Sequence, residues 1–297
     1  MILTVCANVC IDEYIRTDNT LILPAGKGVN VAISLSNIGL QSQCLMFMPE
    51  GSKMIFESYL KQHNVIGHYE LMKGKARINK KVIDTYGNIT EYSGQCEPIN
   101  KQLEESFIKK FEPLAKEAEY VVISGSLPAG ATDDFYRRLI EIAGGQKCIF
   151  DSSREALKEG IKARPLMIKP NIFEFNALTG KHYQNEVESL KECKNLIDEY
   201  GIKYILLSMG AEGALITDGK KAYSAYMNHD NIVNTTGAGD TMVAASLKCL
   251  KDGMDIKETL KYAITAATHK IGRLEPYITN TDYQKDVKTL KIKEIKW

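Results

Sequence analysis

The stretch Asn234-Thr235-Thr236-Gly237-Ala238-Gly239-Asp240-Thr241 carries the residue types that chemistry on a phosphate requires. Two glycines one residue apart let the backbone turn with its N–H groups pointing into one hollow, and the apolar run Met242, Val243, Ala245, Leu247 and Leu250 behind them is spaced for a helix. The positive end of that helix's dipole makes the turn an anion site framed by Gly237, Ala238 and Gly239. Asp240 falls in the first helical turn, where a carboxylate serves as a cap but also faces the hollow. A base beside a phosphate cradle is the apparatus of phosphoryl transfer. The carboxylate takes the proton of an acceptor hydroxyl while amides and a magnesium ion spread the charge of the moving group. A tight turn capped by an aspartate is the plainer reading of the same eight residues.

Other candidates follow the same logic. Asn8 and Asp12 leave the end of a first apolar strand, Ile2 to Ala7, at the strand edge where open α/β sheets bind ligands, so Asp12 can accept from a sugar hydroxyl or simply close a turn. Gly26-Lys27-Gly28 brings an amine and bare backbone to one ligand, with Asn30 one turn on. A phosphate-binding P-loop would need Gly at 21 and Ser or Thr at 28, and the chain has Leu21 and Gly28. Arg77, Asn79 and Lys81 alternate along an extended segment and share one face, which suits a phosphate or a charged edge strand. Ser124-Gly125-Ser126-Leu127-Pro128 ends another apolar strand in a ligand-facing loop. Next to Lys169, Asn171 and Glu174 stand at i, i+3, where they can hold a hydrated magnesium ion or cap a helix. Ser208, Gly210 and Gly213 follow the strand Tyr204 to Ser208, and glycine there lets a nucleotide lie against backbone.

The elements that must hold these residues read as a βα succession. Buried strands are expected at Gln43–Met48, Tyr120–Ile123, Cys148–Phe150, Leu166–Ile168 and Tyr204–Ser208, with shorter ones at Ala214–Thr217 and Tyr223–Met227. Helices fall between them, with Val31, Leu35 and Ile38 forming one apolar face, Met54, Ile55, Tyr59 and Leu60 a second, and Leu103, Phe107 and Phe111 a third. Residues 69–94 alternate polar and apolar about a Tyr86-Gly87-Asn88 turn, and with residues 11–23 they predict a small β-lid outside the main succession.

Composition excludes several classes. The chain has 297 residues, 44% hydrophobic and 25% charged, with a formal net charge of +1, so it offers no broad field for nucleic acid and no apolar run of membrane-spanning length. Seven cysteines without CxxC spacing argue against a disulfide framework or a zinc site, and the five histidines share no catalytic spacing. The start, Met1 to Cys6, lacks the marks of a signal peptide, which predicts a cytoplasmic protein. No repeat or linker is evident, so one integrated domain over residues 1–297 is expected.

Taken in order, these motifs resemble the ribokinase-like pfkB carbohydrate kinases, and among them the branch of bacterial 1-phosphofructokinases and tagatose-6-phosphate kinases. The likeness runs from Cys6 to about Arg273. It includes Asn8 to Asp12, Ala25 to Asn30, the Ala76-Arg77-Ile78-Asn79-Lys80-Lys81 segment and Ser124 to Pro128. Asp151-Ser152-Ser153, Ile168 to Asn171 with Glu174, Ser208 to Gly213 and Thr236 to Thr241 complete it. The resemblance implies a three-layer α/β/α sandwich with a mostly parallel sheet and a β-lid. It implies Asp240 as the base, Gly237, Ala238 and Gly239 as the anion hole, and Asp12, Gly26, Lys27, Asn30, Arg77, Asn79 and Ser126 at a phosphorylated ketose. Lys169, Asn171, Ser208, Gly210, Gly213 and Thr236 would face ATP, with Asn171 and Glu174 at Mg2+. D-fructose 1-phosphate is the expected acceptor and tagatose 6-phosphate the alternative. A non-catalytic sugar-phosphate sensor on the same fold is the competing class, and a lid-mediated homodimer is possible. Three departures stand out: Ala25 replaces a usual glycine, Glu13 to Leu23 is short for the usual pair of lid strands, and Leu274 to Thr279 lacks the glycines expected near the adenine.

Overall fold

Residues 1–84, 89–183, 186–229 and 231–296 are described by the computed structural model of the chain, so the expected Tyr86-Gly87-Asn88 turn lies outside the described residues. Hydrophobic alternation sets the layers. The chain begins with strand β1 (Ile2–Cys6), makes a hairpin of β2 (Cys10–Ile15) and β3 (Thr20–Ala25), and enters helix α1 (Lys27–Asn37). Strand β4 (Ser42–Pro49), helix α2 (Lys53–Gln62) and strand β5 (Ile66–Met72) follow, then β6 (Arg77–Ile83) and β7 (Ile89–Tyr92). The βα succession runs on through α3 (Lys101–Glu117), β8 (Tyr120–Ser124), α4 (Phe135–Ala143), β9 (Cys148–Asp151), α5 (Arg154–Gly160), β10 (Met167–Ile168), α6 (Ile172–Thr179) and α7 (Glu186–Tyr200). Strands β11 (Tyr204–Ser208), β12 (Ala214–Thr217) and β13 (Ala222–Ala225), helices α8 (Ala238–Lys251) and α9 (Ile256–Ile271), and strand β14 (Lys293–Glu294) complete it.

The described strands form a ten-stranded sheet in the order β14-β13-β12-β11-β10-β9-β8-β1-β4-β5 and a four-stranded sheet in the order β3-β2-β6-β7. From β5 through β11 the large sheet is parallel, and its inner strands β4, β1, β8, β9 and β10 are buried on both faces, while the edge strand β5 leaves Ile66 and Leu71 exposed. Side chains alternate accordingly. Leu3, Val5, Val121, Ile123, Ile205 and Leu207 face a core shared with α3 to α7, while Ile2, Val122 and Leu206 face one shared with α1, α8 and α9. The fold is therefore the expected three-layer α/β/α sandwich, with the small sheet as its lid. Polar ends are satisfied locally: the Asn100 side chain accepts from Leu103 N at the start of α3, and that of Asp255 from Glu258 N at the start of α9.

Three expectations shift. Residues 69–72 belong to β5, which pairs in parallel with β4 at the edge of the main sheet, so the lid's second half begins at Arg77. Alternation of polar and apolar residues marks both a sheet edge and a lid, and only the pairing partner separates them. On α2 the buried residues are Phe56 and Leu60, while Met54 and Ile55 are exposed, so the apolar face is turned from the one expected. Strand β13 ends at Ala225, and Met227 instead lines a cavity.

Phe107 is fully buried on α3, with ring centroids 4.4 Å from Phe47 and 5.5 Å from Phe135. Phe107→Ala should lower unfolding free energy by about 3–5 kcal/mol, read as a lower urea midpoint at unchanged slope.

Candidate active site

The carboxyl ends of the parallel strands lie along one edge of the sheet, and the N-termini of α1 and α8 meet there. Helix α8 starts from Gly237 at φ 83°, where a Cβ would run into the carbonyl oxygen of Pro276, so this position requires glycine on two counts. The Ala238 N–H closes a turn on Thr235 O at 3.2 Å. Among the described residues, the N–H groups of Gly237 and Gly239 have no hydrogen-bond acceptor, which leaves them for an anion. Gly26, at φ 136° at the start of α1, leaves no room for a Cβ, which would run into the Cys6 thiol. Ala25 ends β3 outside the left-handed region, so the methyl group in place of a glycine is accommodated.

Asp240 is 4% exposed, and its Oδ2 accepts from Asn30 Nδ2 at 2.8 Å. Burial pushes its carboxyl up to about 6, against the pull of the Lys27 ammonium and with the Asp151 carboxylate adding to the rise. Lys27 Nζ lies 3.3 Å from Asp151 Oδ1 and 3.8 Å from Glu174 Oε1. Burial opposes the Lys27 charge, but Asp151, Asp240 and Glu174 together hold its ammonium above the usual lysine range. Lys169 Nζ is 3.5 Å from the same Asp151 oxygen, and it faces the bare Cα of Gly239. Burial would raise the Asp151 carboxyl, yet Lys169 and Lys27 hold it below the usual range. A buried base, two ammonium groups and free helix amides thus converge on one hollow.

A hydrogen-bonded row runs from this hollow under the lid. Ser126 Oγ accepts from Asn8 Nδ2 at 3.1 Å, Asn8 Oδ1 accepts from Arg77 Nε at 3.1 Å, and Asn79 Oδ1 accepts from Arg77 Nη1 at 2.6 Å. Asn79 Nδ2 donates to Asp12 Oδ1 at 2.9 Å, and Lys81 Nζ donates to Asp12 Oδ2 at 2.7 Å and Thr236 Oγ1 at 3.2 Å. Arg77, Asn79 and Lys81 do share the inner face of β6, and β6 pairs with β2 so that Asp12 stands beside Asn79. Of the three, Lys81 is fully buried and ion-paired with Asp12, so its charge is committed to the lid's own structure.

On the other side of α8 a cavity of about 530 Å³ is lined by Asn171, Phe173, Ser208, Gly210, Gly213 and Thr235, among others. This places four of the residues expected at a nucleotide around one pocket. Thr236 is not among its lining residues: its hydroxyl faces Lys81, and Thr235 takes the cavity side. Leu274 to Thr279 is absent from the lining too. It packs under the anion loop and on α1, with Ile278 O accepting from Asn37 Nδ2 at 2.6 Å and Ile278 N donating to Ser34 Oγ at 3.2 Å. Asn171 and Glu174 form the capping box of α6: Asn171 Oδ1 accepts from Glu174 N and Glu174 Oε2 from Asn171 N, each at 2.8 Å. One oxygen of each is therefore spent on the helix, and the pair does not make a metal chelate by itself. Among the described residues no three acidic, histidine or cysteine groups converge as a metal site.

Asp151 is the main residue that spacing left unassigned. Its position at the end of a short apolar strand was visible, but its two lysine partners lie 124 and 18 residues away in sequence, and only the fold brings them together.

Residues 8–282 match the model of the pfkB family carbohydrate kinases. The chain belongs to that family. This kinase therefore moves a phosphoryl group onto an alcohol oxygen of a carbohydrate. It is 30% identical to a 1-phosphofructokinase of Haemophilus influenzae over 263 residues, covering 87% of this chain and 84% of the relative. It is 31% identical to one of Borreliella burgdorferi over 252 residues, covering 84% and 81%. Its fold is similar to that of phosphofructokinase-2 from Escherichia coli in complex with substrates and products, with TM-score 0.88, 22% identity, and 97% of this chain and 99% of that one covered.

Replacing Gly237 by alanine should cost about 1–3 kcal/mol from the left-handed backbone alone, with more from the Pro276 overlap. Gly237→Ala is expected to lower the urea midpoint and abolish detectable ATP binding in titration calorimetry.

Proposed function

We propose that this kinase transfers the γ-phosphoryl group of ATP to the 6-hydroxyl of D-fructose 1-phosphate, giving fructose 1,6-bisphosphate and ADP. The observation that carries the reading is Asp240, buried, gripped by Asn30 and set in the first turn of α8 beside the free amides. In the proposed reaction Asp240 accepts the hydroxyl proton as the sugar oxygen bonds to phosphorus and the bond to the ADP oxygen breaks. Gly237 and Gly239 N–H groups and the Lys169 ammonium take up charge on the moving group. Arg77, Asn79, Ser126 and Lys27 supply donors toward the 1-phosphate, and Asp12 is left to orient a sugar hydroxyl. The two relatives' names favour this acceptor over tagatose 6-phosphate.

A magnesium ion fits the acidic side of the hollow. Asp151 Oδ2 is buried without a hydrogen-bond partner, and Glu174 Oε1 points to Lys27 rather than into the helix cap. Those two oxygens would face the ion and its waters, with nucleotide phosphates supplying further ligands. Bound there, the ion would neutralise charge on the β- and γ-phosphates. No helix among the described residues is long and apolar enough to cross a membrane, which is consistent with the cytoplasmic location we assign. We further infer one kinase unit with a lid, acting as a homodimer through the lid's outer face, where Ile22, Ile78, Val82 and Tyr92 are exposed.

ADP release with magnesium–ATP against fructose 1-phosphate, tagatose 6-phosphate, fructose 6-phosphate, fructose and ribose should show turnover with fructose 1-phosphate above all others. Asp240→Asn should reduce that rate on the order of 10² to 10⁴-fold. Because the base works ionised and its carboxyl sits near 6, wild-type kcat should climb as pH rises through about 6. Phosphosugar binding without any turnover would point instead to the sensor. For the assembly, Ile78→Asp together with Tyr92→Lys should shift the protein from dimer to monomer in sedimentation velocity. A monomeric wild type would refute the lid contact.

A further inference from the structure

Lys270, in the last turn of α9, plays no part in the reaction outlined above, yet it is among the most buried charged side chains of the protein, 1% exposed. Its Nζ donates to the backbone carbonyl of Asn234 at 2.6 Å. Asn234 is the residue from which the anion loop hangs. Its Oδ1 accepts from Thr236 N at 3.0 Å, and its Nδ2 donates to Tyr14 OH at 3.1 Å and Leu274 O at 2.7 Å. Lys81 grips the same loop from the lid side through Thr236 Oγ1. Two buried lysines thus approach the loop from two elements, and a methylene chain with an apolar end could fill the Lys270 site at far lower desolvation cost. A charge buried against a carbonyl needs a compensating gain.

We propose that Lys270 is a positioning residue of the anion hole: its buried ammonium clamps the Asn234 carbonyl, and so aims the Gly237 and Gly239 amides, most firmly when an anion fills the hole. The proposal rests on the reading of that hole as the seat of the transferred phosphoryl group. The charged groups facing Lys270 are Lys81 from β6, Asp240 from α8 and Glu275 from the segment after α9. Burial and the Lys81 charge push the Lys270 amine down to about 7, with Asp240 and Glu275 opposing. An amine is charged below its pKa, so in the empty protein a fraction of Lys270 is neutral at pH 7.5. The incoming phosphates add negative charge, favour the ammonium and draw in a proton. Anion binding and the Lys270 clamp then reinforce each other.

The decisive measurement is proton uptake on ATP binding at pH 7.5, from titration calorimetry with magnesium–ATP in two buffers of different ionisation heat. It is made in Asp240→Asn, which removes the carboxyl that sits near 6 and suppresses turnover, and the His229 side chain on the cavity wall is common to both proteins compared. Uptake of a fraction of a proton is expected, and Lys270→Arg, whose guanidinium stays charged, should lower it while still binding ATP. In the otherwise native enzyme Lys270→Met should lower kcat at least tenfold with the KM for the phosphosugar within about twofold. Lys270→Arg should recover part of that loss and carry kcat to higher pH. Identical proton uptake with lysine and arginine, or undiminished kcat in Lys270→Met, would overturn the proposal. If Lys270→Met does not fold, the arginine comparison alone still decides. Failure of the parent protein to bind magnesium–ATP would overturn the reading of the site, and it is seen before position 270 is touched.

Discussion

The structure of the site depends on one carboxylate that cannot be left alone. Asp151 ends a central strand with no exposure to water, and an uncompensated charge there would cost several kcal/mol. Lys27 from α1 and Lys169 from the end of β10 both reach its Oδ1, so one buried anion fixes the relative place of one helix and two strands. The lysines are thereby held over the N-terminus of α8 without needing a ligand to order them. Asp240 then sits in a field already set. Burial raises its carboxyl, the ammonium groups restrain the rise, and the result is a base near neutrality. Remove Asp151, and Lys169 loses its anchor, Lys27 keeps only Glu174, and Asp240 faces both cations without the anion between them.

A second network performs the corresponding work for the lid. The row Ser126, Asn8, Arg77, Asn79, Asp12, Lys81, Thr236 crosses from the loop after β8, through the turn after β1, across the lid strands β6 and β2, and back to the anion loop. Apart from Lys81, whose three donors go to Asp12, Tyr14 and Thr236, the members use part of their bonding capacity on a neighbour and keep part for a ligand. Arg77 retains guanidinium donors, while Lys81 is spent on holding the sheet to the loop. Three donors on one strand face are therefore unequal in role, which their spacing could not reveal.

The large architecture was legible because it depends on local signals. Apolar runs marked the buried parallel strands, glycine pairs marked the two helix starts, and polar residues at strand ends marked the functional edge. What failed to show was whatever depends on partners distant in sequence. Residues 69–72 alternate like a lid strand but belong to the main sheet, since β4 rather than β6 pairs with them. Asn171 and Glu174 had the spacing of a chelate and of a capping box alike, and the helix took one oxygen from each. Thr235 and Thr236 are neighbours on opposite sides of one loop, and no pattern in the chain says which hydroxyl faces the cavity and which the lid. Lys270 carried no motif at all, because a lone lysine on a helix reads as a solvated charge until its burial is known.

The strand order has a consequence for how the protein is made. β1 leaves the ribosome before every other strand of its sheet, yet it lies inside the sheet between β4 and β8, and β8 emerges more than a hundred residues later. The early half can pair β1, β4 and β5, but one side of β1 must wait as an unpaired parallel edge. The anion loop closes later still, since Gly237 needs the Pro276 carbonyl beneath it and Asn234 needs the end of α9. During synthesis the nascent chain therefore holds most of its sheet before it holds any of its chemistry, and that interval is when chaperones have the most to protect.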